Sequence, residues 1–382
     1  SACRENASEV ISSVSEFAGD FIAAQAGSEL ESYLSGKGAG ADVISENEGK
    51  CTANVDIGGG TTNISVFVNG SCVETCCLNI GGRLVRKSND DGVFISSSLL
   101  NLCRANGINI KSFDDLSKAL LEKPDIAYIT NITKSHIPCA IACAKAGCHL
   151  FLEKPISDSL DGIAELAKIA AEKKLKVFVG YQNRFHPGIQ YLKQFLAEGS
   201  IGRILSVRSV VGERLTTMHT YENYKDTYMA RKDMGGGVLL NQMVHELDYL
   251  YYLFGQPKSV YALGGINGNL GIDVEDNLDA IYRYESEQGT FPVSVHADFY
   301  QYPPSRFVKV VGERGHIIVD LLKAEVTQAV GDEVTVIPYP DFARNDMFIE
   351  ELKLFIDCIR EDTEPAIPLA DGIVSLKMAL AA

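Results

Sequence analysis

The sequence predicts an α/β chain whose middle alternates strands with helices around a parallel sheet, followed by an α+β region built on a large antiparallel sheet. Three observations carry this expectation. Strand-like and helix-like patterns alternate from about Ser97 to Tyr181, the rhythm of βαβ units. Runs of period two succeed one another from Ser259 to Val319, as in a sheet with one covered face. Ahead of both lies a segment of different character: residues 1–85 carry 4 basic and 11 acidic side chains.

Bulk properties narrow the function. The chain has 382 residues, 46% hydrophobic and 22% charged, enough for two or three domains with real cores. A net charge of -15 leaves no average positive footprint for nucleic acid or an anionic membrane surface. No run approaches the roughly 20 apolar residues of a membrane span, and no basic n-region precedes an apolar core, so a cytoplasmic protein is expected. The ten cysteines follow no regular framework and read as reduced, packed thiols. Cys139, Cys143 and Cys148 lack the partners of a zinc ligand set, and no metal is expected. The chain opens on Ser1 rather than Met, inside a run of helical spacing, a start that fits a piece of a longer chain.

Taken in order, Val10, Val14, Phe17, Phe21 and Ile22 repeat at helical spacing up to Gly27, and Ser28 can cap a short helix through Leu34. The cluster Gly36, Gly38, Gly40 formally fits GxGxxA. A helix precedes it where a dinucleotide turn needs a strand, so the match is read as false. Ala53, Val55 and Ile57 alternate, Gly58 to Gly60 interrupt, and Ile64, Val66 and Val68 lead into Asn69-Gly70 with a return strand Cys72 to Leu78. Asn-Gly between alternating runs is a strong hairpin signal. Helices are expected over Ser97–Ala105, Asp114–Glu122, Lys134–Lys145 and Ser157–Lys174. Strands are expected over Asn109–Phe113, Asp125–Thr130, His149–Glu153 and Lys176–Tyr181. A helix Gly188–Glu198, a strand Ile204–Val211 and an apolar helix Gly237–Phe254 follow. Strands then fall at Ser259–Leu263, Asn277–Tyr284, Val293–Tyr300, Phe307–Val311 and His316–Val319. Helices Asp346–Ile359 and Gly372–Ala381 close the chain and are expected to pack back on the parallel sheet.

Two groups of motifs could carry chemistry. The first is Asp56-Ile-Gly-Gly-Gly-Thr-Thr-Asn63, a glycine turn between strands whose N–H groups could cradle a phosphate while Asp56 positions a metal-bound water. It resembles the second phosphate motif of the actin, Hsp70 and sugar-kinase ATPases. With Cys77-Leu-Asn-Ile-Gly-Gly-Arg-Leu84, residues 1–85 look like a fragment of the ethanolamine ammonia-lyase reactivating factor. Such an ATP site needs two phosphate loops and one is present, which favours a glycine-rich hairpin that binds no nucleotide.

The second group is Glu153-Lys154-Pro155 at a strand end, Gly180-Tyr-Gln-Asn-Arg-Phe-His-Pro187 at the next, and Gly235-Gly-Gly-Val-Leu-Leu-Asn-Gln-Met-Val-His-Glu-Leu-Asp248 opening a helix. Asn241, His245 and Asp248 are spaced four and three apart, on one helical face. In this order and at these separations the motifs resemble the Gfo/Idh/MocA oxidoreductases, from about Arg86 to Ala382.

The resemblance implies a Rossmann-like domain at 86–181 and a substrate and oligomerisation domain at 182–382. It implies NAD or NADP as cofactor and a hydroxyl of a sugar, inositol or sugar acid as substrate. Lys154 and His245 would flank the reacting carbon, with Asn241 where the family usually has Asp. An imidazole can take the hydroxyl proton as hydride leaves, and the lysine can stabilise the developing oxygen charge. Arg86, Ser88, Thr130, Asn131, Thr133, His136, Glu153, Lys154 and Pro155 fall on the cofactor side; Tyr181, Arg184, His186 and Asp248 fall on the substrate side. Tyr221, Tyr224 and Tyr228, with Arg231 and Lys232, either line the sugar pocket or form a surface loop. A homo-oligomer is expected by resemblance.

One part is missing. Nothing before Arg86 supplies the first strand, glycine-rich turn and helix that hold the pyrophosphate, so the Rossmann half reads as truncated and cofactor binding as compromised. The junction at Val85 to Arg86 lies between strand-like pieces, which fits a recombined frame, or a foreign hairpin accommodated at the sheet edge. No acidic residue stands at Arg86-Lys-Ser88, which leans towards NADP. Two alternatives remain: a sugar-binding protein without catalysis, and a reactivase-type ATPase or chaperone fragment.

Overall fold

The computed structural model describes residues 37, 41–57, 62–78, 85–87, 93–95, 115–218 and 223–382. It divides into two compact units, Ser1–Ala119 and Leu120–Ala382. The helices expected before Leu34 and over Ser97–Ala105, the strand Asn109–Phe113, the glycines of the Asp56–Asn63 turn and Ser88 lie outside the described residues.

In the first unit, helix α1 (Ala41–Glu48) precedes strands β1 (Cys51–Ile57), β2 (Thr62–Val68) and β3 (Ser71–Leu78). The three form an antiparallel sheet in sequence order, and Asn69-Gly70 makes the tight turn with both residues at positive φ, as Asn-Gly favours. Helix α1 follows the Gly36–Gly40 cluster and was not expected there. Two short strands, β4 (Val85–Lys87) and β5 (Val93–Ile95), pair antiparallel, and α2 (Leu116–Leu120) reaches the unit boundary.

The second unit opens with β6 (Ile126–Ile129), α3 (His136–Ala146), β7 (His149–Glu153), α4 (Ile163–Lys173) and β8 (Val177–Gly180). Among the described residues the parallel sheet has three strands in the order β6-β7-β8. Strand β8 is buried along its whole length, and β7 at its three central residues, as expected of strands covered on both faces. Helix α4 is shorter than the expected Ser157–Lys174, because Ser157 to Gly162 turn before it starts and Gly162 sits at φ +75°. A Cβ on Gly162 would stand 2.8 Å from Ile137 of α3, so the glycine permits the two helices to meet.

Helix α5 (Pro187–Ala197) begins on His186, whose side chain accepts from the Gly188 N–H, with Pro187 in the first turn. Then come β9 (Ile204–Gly212), the short α6 (Leu215–Met218), and α7 (Val244–Phe254), which is entered through a π-helical turn at Leu239–Met243. The strands that follow are β10 (Ser259–Gly265), β11 (Asn277–Ser286), β12 (Gly289–Asp298), β13 (Ser305–Gly312), β14 (Gly315–Asp320), β15 (Glu325–Val330) and β16 (Glu333–Pro338). With β9 they form one sheet of eight, ordered β10-β11-β12-β9-β13-β14-β15-β16. It is antiparallel at every pair except β9 with β12, which run parallel, because β9 arrives earlier in the chain and is enclosed between β12 and β13. Strands β15 and β16 were not expected.

Helices α8 (Arg344–Arg360) and α9 (Leu369–Ala381) close the unit against the parallel sheet. Phe355 of α8 makes edge contacts with Phe151 and Phe178 of β7 and β8, with ring centres 5.7 and 6.0 Å away. Ile367 accepts the Val179 N–H at 2.9 Å. Helix α8 and the segment leading into α9 thereby pack on strands β7 and β8.

Candidate active site

Two cavities adjoin where the parallel sheet faces α7. One, of about 570 Å³, is lined among others by Lys154, Asn183, His186, Asn241, Gln242, His245, Arg306 and Arg344. The other, of about 500 Å³, is lined by Thr130, Asn131, Thr133, His136, Glu153, Lys154, Tyr228, His245 and Arg344 among others. The two share Lys154, Tyr228, His245 and Arg344.

Lys154 follows the last residue of β7. Its Nζ donates to the backbone carbonyl of Asn241 at 3.0 Å, and its own N–H donates to the Glu153 carboxylate at 2.9 Å. Loss of water around the ammonium pulls its pKa down to about 8, against the opposing pull of Glu153. His245 is buried on α7, and Nδ1 has no hydrogen-bond partner. Burial, then the positive charges of Lys154, Arg306 and Arg344, hold its pKa well below the ordinary value, so the ring is neutral at pH 7, and the same shift makes it a weak base unless negative charge gathers beside it.

The glycines ahead of α7 have a steric reason. A Cβ on Gly236 would lie 2.5 to 2.8 Å from the carbonyl oxygens of Tyr228, Met229 and Arg231, while Gly237 adopts φ +110°. Tyr228, at this close approach, and His245 both line the two cavities. Asn241 sits in the π turn, a helix variant that recurs at functional sites. Its Nδ2 donates to Gly237 O at 3.0 Å, leaving Oδ1 without a partner.

Of the residues expected on the cofactor side, Thr130, Asn131, Thr133, His136, Glu153 and Lys154 line the smaller cavity, whereas Pro155 does not. Thr130 and Asn131 are exposed; Thr133 and His136 are buried. His136 is tied through its two ring nitrogens to the carbonyls of Pro155 and Asn131, at 2.8 and 2.9 Å, which fixes the loop to the strand end. Arg86 lies in β4, within the other compact unit.

The substrate-side group divides. His186 lines the larger cavity, packs edge-on against Phe342 at 4.9 Å between ring centres, and has its pKa lowered to about 4 by burial. Tyr181, Arg184 and Asp248 line neither cavity. Arg184 instead grips Asp248 through two bonds of 2.8 and 2.7 Å and Asp371 through one of 2.7 Å, and Ser375 donates to Asp248 at 3.0 Å. This buried network ties the turn after β8 to α7 and α9. Tyr228 lines both cavities, whereas Tyr224 donates to Leu270 O and Arg231 pairs with Asp233. Tyr221 lies outside the described residues.

Arg306, Arg344 and Gln242 were not singled out from sequence. Arg306 Nε donates to the fully buried Glu246 at 2.7 Å, leaving Nη2 without a partner. Glu351, nearly inaccessible on α8, has its pKa pushed up to about 9 by burial, with Glu153 and Asp248 adding to the shift. Among the described residues no cluster of three His, Cys, Asp or Glu could hold a metal ion.

Residues 189–318 match the family model described as the GFO/IDH/MocA C-terminal domain, and residues 1–140 match that of the ethanolamine utilisation protein EutA. The myo-inositol 2-dehydrogenase of Thermotoga maritima is 26% identical over 271 residues, covering 69% of this chain and 78% of that one. The ethanolamine ammonia-lyase reactivase EutA of Escherichia coli (strain K12) is 46% identical over 85 residues, 22% of this chain. The chain spans only 18% of that reactivase. Among solved structures, levoglucosan dehydrogenase in complex with NADH and levoglucosan superposes with a TM-score of 0.64 at 20% identity, over 75% of this chain and 84% of its own. That likeness shows the fold.

Proposed function

We propose that this chain, in which an EutA-type segment precedes a body of Gfo/Idh/MocA type, is a nicotinamide-dependent dehydrogenase acting on a secondary hydroxyl of a sugar, inositol or related polyol. The observation that carries the reading is the pair of adjoining cavities sharing Lys154 and His245. A hydride transfer needs a cofactor pocket and a substrate pocket meeting at the groups that manage the proton. The relatives named myo-inositol 2-dehydrogenase and levoglucosan dehydrogenase support the substrate class.

The smaller cavity fits the nicotinamide end: its wall offers the Thr130 and Asn131 loop, pinned by His136, beside Lys154. A bound NAD or NADP would supply the hydride acceptor. His245, held neutral by burial, takes the hydroxyl proton. Lys154, charged at pH 7 and fixed by the Asn241 carbonyl, stabilises the negative charge that develops on that oxygen. Asn241 offers Oδ1 as an acceptor to a substrate hydroxyl. Residues 86–181 would form the cofactor half and 182–382 the substrate half, and the lack of an acidic residue in the sequence Arg86-Lys-Ser88 leans towards NADP.

The rival reading, a polyol-binding protein without catalysis, draws on the expectation from sequence that nothing before Arg86 supplies the strand, glycine-rich turn and helix of a pyrophosphate site. Fluorescence titration of the purified chain with NADH and NADPH, followed by oxidation assays over a polyol panel, separates the two. Micromolar cofactor binding with turnover abolished by Lys154→Ala supports the dehydrogenase; polyol binding without nicotinamide binding supports the rival.

Among the described residues no helix is long and apolar enough to cross a membrane; a cytoplasmic location is a separate proposal that goes with the dehydrogenase reading. We also propose a homo-oligomer formed through the large sheet, whose outer face exposes Tyr261, Leu263 and Ile281.

A further inference from the structure

The larger cavity has a charge pattern at odds with its protein. The chain carries a net charge of -15, yet the lysines, arginines and carboxylates lining this cavity are Lys154, Arg306, Lys323 and Arg344 against the single carboxylate Glu213. Two of the cations are partly neutralised from behind: Lys154 by Glu153, and Arg306 by the buried Glu246. Lys323 is only loosely paired, 3.8 Å from Asp320. Arg344, exposed at the first turn of α8, has no ion pair among the described residues.

Neutral polyols are held largely by carboxylate and amide acceptors facing their hydroxyls. Here Asn241 Oδ1 and Gln242 Oε1 are acceptors without partners, Asn183, Ser305, Tyr228 and Tyr339 add uncharged polar groups, and Glu213 is the one carboxylate beside four cationic side chains. Arginine forks match carboxylate and phosphate geometry. We propose that the substrate is an anionic polyol, a sugar acid or sugar phosphate, whose charged group is received by Arg306, Lys323 and Arg344 while its reacting hydroxyl lies at Lys154 and His245.

The proposal rests on the dehydrogenase reading for its orientation. Arg344 also borders the smaller cavity, where it could serve cofactor phosphates instead. Arg306 and Lys323 line only the larger one, which lets the two roles be told apart.

Calorimetric titration of the full chain with D-glucuronate, D-glucose 6-phosphate, D-glucose and myo-inositol, without cofactor, tests it. One or both anions should bind at least about tenfold more tightly than the neutral ligands, as expected for charge-assisted recognition, and added salt should erode the preference. The two anions distinguish carboxylate from phosphate. Lys323→Ala and Arg344→Ala, both exposed and safe for folding, should each reduce anion binding several-fold and leave neutral ligands unchanged. Equal binding of anions and neutrals, binding of none of the four, or an anion preference that survives the Lys323→Ala/Arg344→Ala double substitution overturns the proposal. NADPH titration run in parallel separates the two failures. Loss of cofactor binding with intact anion selectivity would sink the dehydrogenase reading alone. Turnover of neutral polyols without anion selectivity would sink the present inference alone.

Discussion

Lys154 Nζ lies 3.0 Å from the backbone oxygen of Asn241, so the end of the parallel strand β7 is bonded directly to the π turn that opens α7. This bond sets the distance between the two groups proposed for the chemistry, since His245 sits one turn further along α7. Burial of the ammonium leaves Lys154 with a pKa of about 8, close to the operating range of the proposed reaction.

The pH profile of kcat/KM should therefore fall on the alkaline side with a midpoint near pH 8, as Lys154 loses the charge that stabilises the developing alkoxide. Lys154→Ala should lower kcat by about 10²–10³-fold, the usual scale for one electrostatic stabiliser, and abolish that limb. A profile flat through pH 9 would remove Lys154 from the chemistry.

The same lysine should cost stability. Its pKa is about 8 in the folded chain against 10.5 unfolded, so the unfolded state binds more protons between those values and stability rises with pH across that window. Below pH 8 the full penalty is present. Lys154→Met should raise stability at pH 7 by on the order of 2 kcal/mol while activity is lost, measurable by denaturant unfolding. A destabilised Lys154→Met chain would contradict this account.

Glu351 gives the opposite slope. Its folded pKa of about 9 lies above the ordinary 4.5, so the folded chain binds the extra proton, and stability falls as pH rises from 4.5 to about 9. Glu351→Gln, a neutral isostere, should stabilise the protein by on the order of 2 kcal/mol at pH 7 and flatten that slope. Unfolding curves at several pH values would show it; an unchanged slope would mean that the carboxyl finds water or a partner.

Arg184 and Asp248 separate position in a motif from position in the site. On the sequence they stand beside His186 and His245, and helical spacing puts Asp248 on the face of His245. In the fold they turn away into a buried network with Asp371 and Ser375. Removing one partner strands a buried charge, so Asp248→Asn should cost about 3–5 kcal/mol. Substrate KM in the surviving folded fraction should stay within a factor of two or so of the parent. A large KM change without loss of stability would return Asp248 to the substrate site.

What was legible follows the range of the interaction. Strand β7 was expected at His149–Glu153 and lies there, because a short apolar run after a glycine is a local signal. The closing helices are found within a few residues of where their spacing placed them. Strand β16 was not expected although Val334 and Val336 alternate with Glu333 and Thr335: the run is short and ends on Pro338, and both valines lie exposed at the sheet edge. The parallel pairing of β9 with β12 was invisible since it joins segments about eighty residues apart. Arg306 and Arg344 reach the cavity from a sheet strand and a distant helix, with no motif around either. Lys154 and His245 were legible because glycines and a strand end, which have their own sequence signals, position both.

The outer face of the large sheet supplies the last prediction. Tyr261 of β10 lies opposite Ile281 of β11, and with Leu263, at 71% exposure, both project from the side that the helices do not cover. A row of large apolar side chains on a regular sheet is the kind of surface two copies can bury face to face. Tyr261→Lys combined with Ile281→Lys should therefore shift the particle to a smaller mass by light scattering, while the unfolding midpoint of the monomer stays within about 0.5 kcal/mol, as exposed positions allow. A parent chain already monomeric at micromolar concentration, or an unchanged mass in the double variant, would mean that this face meets something else or nothing.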